Sequence, residues 1–311
     1  MKYAIISDIH GNIHAFNAAL ADAKDQGVDR YLLLGDYTTC FPWGNTVANT
    51  IRSLKQATVI RGNGEDYFIN HQNNQFNINN EQFKPVYWDY RSLTPQNLEY
   101  LAGLPEAASI IDDDSGSKIH LIHALDLFYP SKIECFSPRD FRIMMTKAPF
   151  SHAEYLLRTQ EAVLSCPETI EKINALPNGI YLFGHNHLQF HMAYDGKLFI
   201  NPGSCGQALD WDTTAAYTLL TCTADGCWIV DERRVDYDLN IVAEGLDTSG
   251  FTDYAPMWSK IFKMELTEGK NYMFPFVLYL METGKALKQT DFPVSKEVWD
   301  AAIETWDPER I

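Results

Sequence analysis

The sequence predicts an α/β fold with some α+β character, a two-layered sheet core flanked by helices, and three observations carry that expectation. Its first 62 residues alternate apolar strands with amphipathic helices. Residues 108–235 read as strands joined by tight turns, and beyond about residue 238 the pattern is helical.

The elements follow in chain order. Tyr3–Ser7 reads as a buried strand. Ile13–Gln26 carries apolar residues at helical spacing (Ile13, Phe16, Ala19, Leu20, Ala23) and stops at Gly27. A strand at Tyr31–Leu34, a helix at Thr46–Lys55 and a strand at Thr58–Ile60 complete two β-α-β units. Asp8, Asp36 and Asn63 are thereby expected just past the carboxyl ends of three strands, where open α/β sheets bind ligands. Residues 65–104 are less regular, with a helix starting at Thr94-Pro95 and running to about Ala102, and are expected to cap the site. Ala108–Asp112 and Lys118–His123 read as a hairpin. A second insertion, about 125–176, contains a helix at His152–Leu164. Strands resume at Ile180–Phe183, Gln189–Tyr194, Lys197–Ile200, Ala215–Thr223 and Cys227–Val235, with Asp195-Gly196 and Asp225-Gly226 as turns. Helices at Tyr254–Glu265, Asn271–Glu282 and Ser295–Trp306 follow. The expected division is a domain at 1–238 and a helical appendage at 239–311.

A chain of 311 residues, 46% hydrophobic, can bury a large core. Its 41 acidic against 25 basic residues give a net charge of −16, so a nucleic-acid duplex would be repelled; a small phosphorylated substrate would not, if metal ions reverse the local field. The six cysteines form no CxxC pair, which points to reduced thiols and a cytoplasmic protein. The apolar start is read as a strand rather than a targeting segment, and no stretch approaches the roughly 20 residues of a membrane span.

The chemistry sits at the strand ends. Asp8 and His10, at i and i+2 in Ser7-Asp8-Ile9-His10-Gly11-Asn12, point the same way if the backbone is extended, and so reach one metal. Asp36, after Leu32-Leu33-Leu34-Gly35, offers two oxygens that can bridge cations about 3.5–4 Å apart. Asn63, in Arg61-Gly62-Asn63-Gly64, offers an amide oxygen. His123 ends its strand, whereas His120 has the opposite parity and is read as structural. Gly184-His185-Asn186-His187 places two imidazoles that diverge enough to serve two adjacent metals, with Gly184 allowing close approach. Asn201-Pro202-Gly203-Ser204 reads equally as site rim or structural turn. Each motif alone has a plain structural reading, as a helix cap, a turn or an incidental histidine. Together they deliver oxygen and nitrogen donors suited to divalent transition metals.

These residues resemble the site of the calcineurin-like metallophosphoesterase superfamily, and Ser7-Asp8-Ile9-His10-Gly11-Asn12 most resembles its small bacterial and archaeal phosphodiesterase branch, over roughly residues 1–235. The resemblance implies a four-layer α/β-β/α sandwich. It also implies one metal on Asp8, His10, Asp36 and His187 and a second on Asp36, Asn63, His123 and His185, with Asp36 as the bridge. Two departures stand out: many members carry a histidine after the ligand Asn, where this chain has Gly64, and a glycine after the single ligand His, where it has Ala124.

The implied activity is hydrolysis of a phosphodiester, phosphoanhydride or phosphomonoester by a metal-bridging hydroxide, with Asp36, Asn63 and His123 central. The cofactors would be two divalent ions from Mn, Fe, Zn, Co or Ni, with Mn or Fe preferred. Asn12 and Arg61 are candidate phosphate contacts, each with a local structural role as the alternative. With Gly64 lacking a side chain, leaving-group protonation falls to water, to an insertion residue such as His71 or His152, or is unneeded because the leaving group is good. The alternatives are a protein Ser/Thr or nucleotide phosphatase with the same site, and a non-catalytic binding module on the same fold. The expected partner is a small phosphorylated substrate; self-association is left open.

Overall fold

A computed structural model of the chain describes residues 1–128, 149 and 151–310. One sheet has the order β10-β9-β1-β2-β3, built from β1 (Lys2–Ile6), β2 (Arg30–Leu33), β3 (Ala57–Val59), β9 (Ala215–Cys222) and β10 (Trp228–Val235). The first three run parallel and β9 runs antiparallel to β1. The other sheet has the order β4-β5-β6-β8-β7, from β4 (Ala107–Ile111), β5 (Lys118–Ile122), β6 (Gly179–Leu182), β7 (Gln189–Tyr194) and β8 (Lys197–Pro202).

Strand parity explains why the sheets stack. Side chains alternate between faces, so Tyr3, Ile5, Leu32 and Leu34 from the first sheet meet Ile119, Leu121, Ile180, Leu182 and Ile200 from the second. The opposite parity, Ala4, Ile6, Leu33, Tyr217 and Leu219, packs outward on α1 (Ile13–Asp25) and α2 (Gly44–Ser53). Tyr181, Phe183, Phe190 and Phe199 pack outward on α6 (His152–Leu164) and α7 (Pro167–Asn174). The result is helices, sheet, sheet, helices. Each fully buried aliphatic side chain in that sandwich contributes about 1.5–3 kcal/mol.

The segment expected to be irregular at 65–104 instead holds three helices: α3 (Asn63–Gln72), α4 (Lys84–Ser92) and α5 (Pro95–Ala102). Its aromatic residues supply the apolar faces; Tyr67, Phe83 and Tyr90 pack on the outer core. The Thr94 hydroxyl caps α5 as the sequence suggests, accepting from Asn97 N (3.3 Å). Beyond residue 238 lie α8 (Leu239–Thr248), α9 (Phe251–Tyr254), α10 (Pro256–Glu268), α11 (Met273–Ala286) and α12 (Lys296–Thr305). α8 had no place among the expected elements, and the single helix expected at Tyr254–Glu265 divides at Ala255–Pro256, where the proline starts a new helix.

These C-terminal helices share a core of Trp258, Phe262, Phe276 and Trp299 that also takes in Cys40 and Phe41, from the loop after β2. They therefore reach the ends of the strands that carry Asp8 and Asp36. Trp258 Nε1–H donates to Glu81 O (2.9 Å), tying α10 to the segment between α3 and α4. Among the described residues the cysteines are free thiols, and no helix is long and apolar enough to cross a membrane. Cys135 lies outside the described residues.

Candidate metal centre

The loops leaving β1 and β2 run side by side, continuing the parallel pairing beyond the strands: Asp8 N–H donates to Gly35 O (3.0 Å), His10 N–H to Asp36 O (3.0 Å) and Gly11 N–H to Tyr37 O (2.8 Å). Their approach to the third strand end demands glycine. Gly35 has φ +105°, and a Cβ there would lie 2.5 Å from Gly62 N.

The backbone at the donors differs from the extended form expected. Asp8 (φ 54°), His10 (50°), Asp36 (54°), His185 (71°) and His187 (60°) all lie in the left-handed region, where non-glycine residues are uncommon. Such conformations persist only where the surroundings over-determine them, and they gather at functional sites. Here the cross-loop hydrogen bonds do that work, so Asp8 and His10 converge by tight turning rather than by strand parity.

Two clusters result. Asp8, His10 and His187 form one and Asp36, His123 and His185 the other, with the candidate ligand atoms of each within 4.8 Å of one another. In the first, His187 Nε2 is 3.4 Å from Asp8 Oδ1 and 3.0 Å from His10 Nε2. In the second, His123 Nε2 lies 3.0 Å from Asn63 Oδ1 and 3.5 Å from Asp36 Oδ2. Asp36 Oδ2 is also 3.9 Å from His10 Nε2. One oxygen thus faces both clusters. The other oxygen, Asp36 Oδ1, accepts from Gly64 N–H (2.7 Å).

The hydrogen-bond pattern fits this pair of clusters to cations. Nδ1 of His10, His123 and His187 faces the carbonyls of Thr38 (3.1 Å), Leu34 (2.8 Å) and Gln207 (2.8 Å). A carbonyl can only accept, so Nδ1 carries a proton in each ring and Nε2 is the nitrogen left to face a cation. Nε2 of His10 and Nε2 of His187 face each other at 3.0 Å, an arrangement that a proton or a metal cation between them satisfies. Burial holds His187 down to about 4 and also lowers His185, with His123 adding to the latter; both are neutral ligands at pH 7. Burial works against charge on His123, but Asp36 prevails and pushes it up to about 10, so a proton competes with a cation there.

Several further residues support the candidate donors, and their partners are not visible in the sequence. Glu65, fully buried on α3, accepts from Gly62 N (2.8 Å), Asp36 N (3.0 Å) and Tyr37 N (3.0 Å), clamping the Asp36 loop to the Asn63 loop. Its place three residues after Gly62, at a helix start, is the one clue available. Gln207 holds His187 through its carbonyl, and its side-chain NH2 donates to Glu265 of α10 (2.6 Å). Asn201 donates to Gly184 O (2.9 Å), and the Ser204 hydroxyl donates to Asp8 O (2.7 Å), so that turn fastens two donor loops.

The two candidate phosphate contacts prove to be otherwise occupied. Asn12 is fully buried; its oxygen caps α1 by accepting from Ala15 N (3.1 Å), and its nitrogen donates to Gly206 O (2.9 Å) and Tyr237 Oη (3.3 Å). Arg61 donates to Leu104 O (2.7 Å) and pairs with Asp66 and Glu106. Neither lines the cavity over the clusters. The two insertion histidines offered as proton donors are also absent from it: His71 packs on Tyr87 and Tyr90, and His152 pairs with Glu232. His120 stays away as read, stacked on Tyr181 with ring centroids 4.8 Å apart.

The sequence profile of the calcineurin-like phosphoesterase superfamily domain matches residues 1–225, and the chain belongs to that superfamily. It is 26% identical over 252 residues to an uncharacterized protein of Methanocaldococcus jannaschii, covering 76% of this chain and 88% of the relative. Its fold is similar to that of a metallophosphoesterase from Sphaerobacter thermophilus, with a TM-score of 0.58 at 22% identity over 86% of this chain and all of the other. A hypothetical protein from Pyrococcus horikoshii gives 0.59 at 18% identity, covering 87% and 99%.

Proposed function

We propose that the protein hydrolyses a phosphoric ester or anhydride of a small substrate, in the cytoplasm, at two divalent cations held by Asp8, His10, Asp36 and His187 and by Asp36, Asn63, His123 and His185. The observation that carries this reading is the shared face of Asp36 Oδ2, 3.9 Å from His10 Nε2 and 3.5 Å from His123 Nε2, between two clusters of inward-facing donor atoms. The donor set suits Mn or Fe, with Zn, Co or Ni as substitutes. Such a cation pair, when bound, supplies an acidified water and charge neutralisation for the phosphoryl group.

The chain's own residues do the remaining work. The Gly64 N–H and the Glu65 clamp hold Asp36 at one geometry, and carbonyl acceptors orient the imidazoles of His10, His123 and His187. Water is the nucleophile. Among the described residues the cavity lining contains no Lys or Arg and no histidine beyond the candidate ligands, which fits substrates whose leaving group needs no protein acid.

Metal analysis and a substrate panel test the reading. Loaded protein is expected to hold two metals and to cleave at least one of an aryl diester, a nucleotide, a dinucleoside polyphosphate or a phosphopeptide, and Asp36→Asn is expected to lose metal and at least 10³-fold in rate. Two bound metals without turnover of any panel member would mark a binding module instead.

A further inference from the structure

We propose that the group esterified to the reacting phosphate is uncharged and built on a heteroaromatic ring, so that the substrate carries a single phosphoryl group; this rests on the hydrolase reading above. A cavity of about 320 Å³ opens directly over the metal clusters, with His10, Asp36, Asn63, His185 and His187 in its lining. That is the low end of volumes that enclose a small organic ligand.

Its other walls come from elements far apart in sequence. Tyr67 on α3, Phe83 before α4, Trp258 and Phe262 on α10 and Phe274 on α11 all line the cavity. Phe292, 60% exposed, packs on Phe83 at ring centroids 5.9 Å apart and also lines the cavity. A lining this rich in flat aromatic side chains suits a ring.

Charge decides against the alternatives. Among the described lining residues there is no Lys, Arg or Glu, and Asp36 is the lone carboxylate. A second phosphate or a carboxylate on the substrate would be desolvated there without a partner. Two amides give the ring polar recognition: Gln82 Oε1 accepts from Val294 N (3.2 Å) and Asn271 Oδ1 from Phe274 N (2.9 Å). Their NH2 groups remain as donors to the cavity lining, matching ring nitrogens or ring carbonyls. In the reaction, the oxygen of water forms the new P–O bond. The ester P–O bond breaks with its electron pair on the departing oxygen, and a proton from water ends on that alcohol or phenol.

Calorimetry on the manganese-loaded full chain tests this with three non-hydrolysable probes: methylphosphonate, quinolinylmethylphosphonate and its ring-carboxylated analogue. The quinolinyl compound is expected to bind at least tenfold tighter than methylphosphonate, and the carboxylate to cancel that gain. Phe292→Ala, at an exposed position the fold tolerates, and Phe274→Ala are expected to reduce the ring preference at least threefold while leaving methylphosphonate affinity unchanged. Equal affinities for the methyl and quinolinyl probes, or a preference untouched by both variants, overturns the inference while any observed ester hydrolysis still supports the two-metal reading. Ring-selective binding without hydrolysis of any ester would do the reverse.

Discussion

Gly184 stands where the two sheets' loops meet, and adding one methyl group there tests the geometry of the whole centre. A Cβ on Gly184 would lie 2.5 Å from Asp8 Oδ2 and 2.9 Å from Ser7 Cβ, and it would also overlap Ser7 Oγ. Ser7 Oγ has no hydrogen-bond partner and can rotate away. Asp8 cannot. Its carboxylate accepts from His185 N (3.0 Å), its N–H is bound to Gly35 O, and its carbonyl takes both Gly206 N–H and the Ser204 hydroxyl. Reaching ordinary van der Waals contact near 3.4 Å requires a retreat of about 0.9 Å, which falls on the donor set Asp8, His10 and His187. Overpacking of this kind costs about 1–3 kcal/mol, and misplacing a reacting geometry by about 1 Å costs ~10²-fold in rate. Gly184→Ala is therefore expected to show a Tm lower by a few degrees, reduced metal content and kcat/KM for an aryl phosphodiester about 100-fold down. Ser7→Ala alone should behave like wild type, and combining it with Gly184→Ala should not restore activity, because the overlap with Asp8 remains. Full metal content with activity within about threefold of wild type in Gly184→Ala would refute this close packing.

Arg61→Gln is expected to leave KM within about twofold, since Arg61 spends its donors on Leu104 O, Asp66 and Glu106, while lowering stability by about 1–3 kcal/mol; a tenfold rise in KM would instead place Arg61 on substrate. Chelation should lower Tm, because it removes the metal cation from between His10 Nε2 and His187 Nε2, and adding metal at about 100 times its Kd should restore about 2.7 kcal/mol; no response of Tm to metal would count against the donor assignment. Burial raises the Asp89 carboxyl to about 7. The folded chain then keeps a proton that the unfolded chain releases near pH 4, so the contribution of Asp89 to stability in chelator is fully present below about pH 4 and is lost as pH rises through about 7, by an amount on the order of 2–4 kcal/mol. Asp89→Asn keeps an acceptor for Thr39 N–H and removes that group's titration, so the difference in denaturant unfolding between pH 5 and pH 8 should shrink, the remainder coming from Glu65 and Glu265, whose carboxyls burial also raises to about 7.

The donors were legible before any folding because of where α/β sheets put them. Apolar strands followed at once by Asp8, Asp36, Asn63, His123 and His185 can be recognised from local order; parallel pairing brings the first three strand ends together in one sheet and the last two in the other, and the packing of the sheets joins the two sets. His120 could likewise be set aside by parity alone. Parity failed at the donors themselves, since a left-handed residue breaks the alternation on which parity rests, and that conformation is imposed by hydrogen bonds from a neighbouring loop.

Tertiary structure alone decided how the remaining polar groups are used. Asn12 and Arg61 have the right chemistry for phosphate, yet Gly206, Tyr237, Leu104 and Glu106 claim them from 43 to 225 residues away. Nothing near them in sequence announces those partners. The same holds for Gln207 and Glu265, and for the ring-lined cavity that the C-terminal helices complete over the two candidate metal-binding clusters. Local spacing reports which face or end of an element a residue occupies. Which atoms meet across packed elements depends on how the layers stack, and that is settled by the burial of side chains distributed over the whole chain.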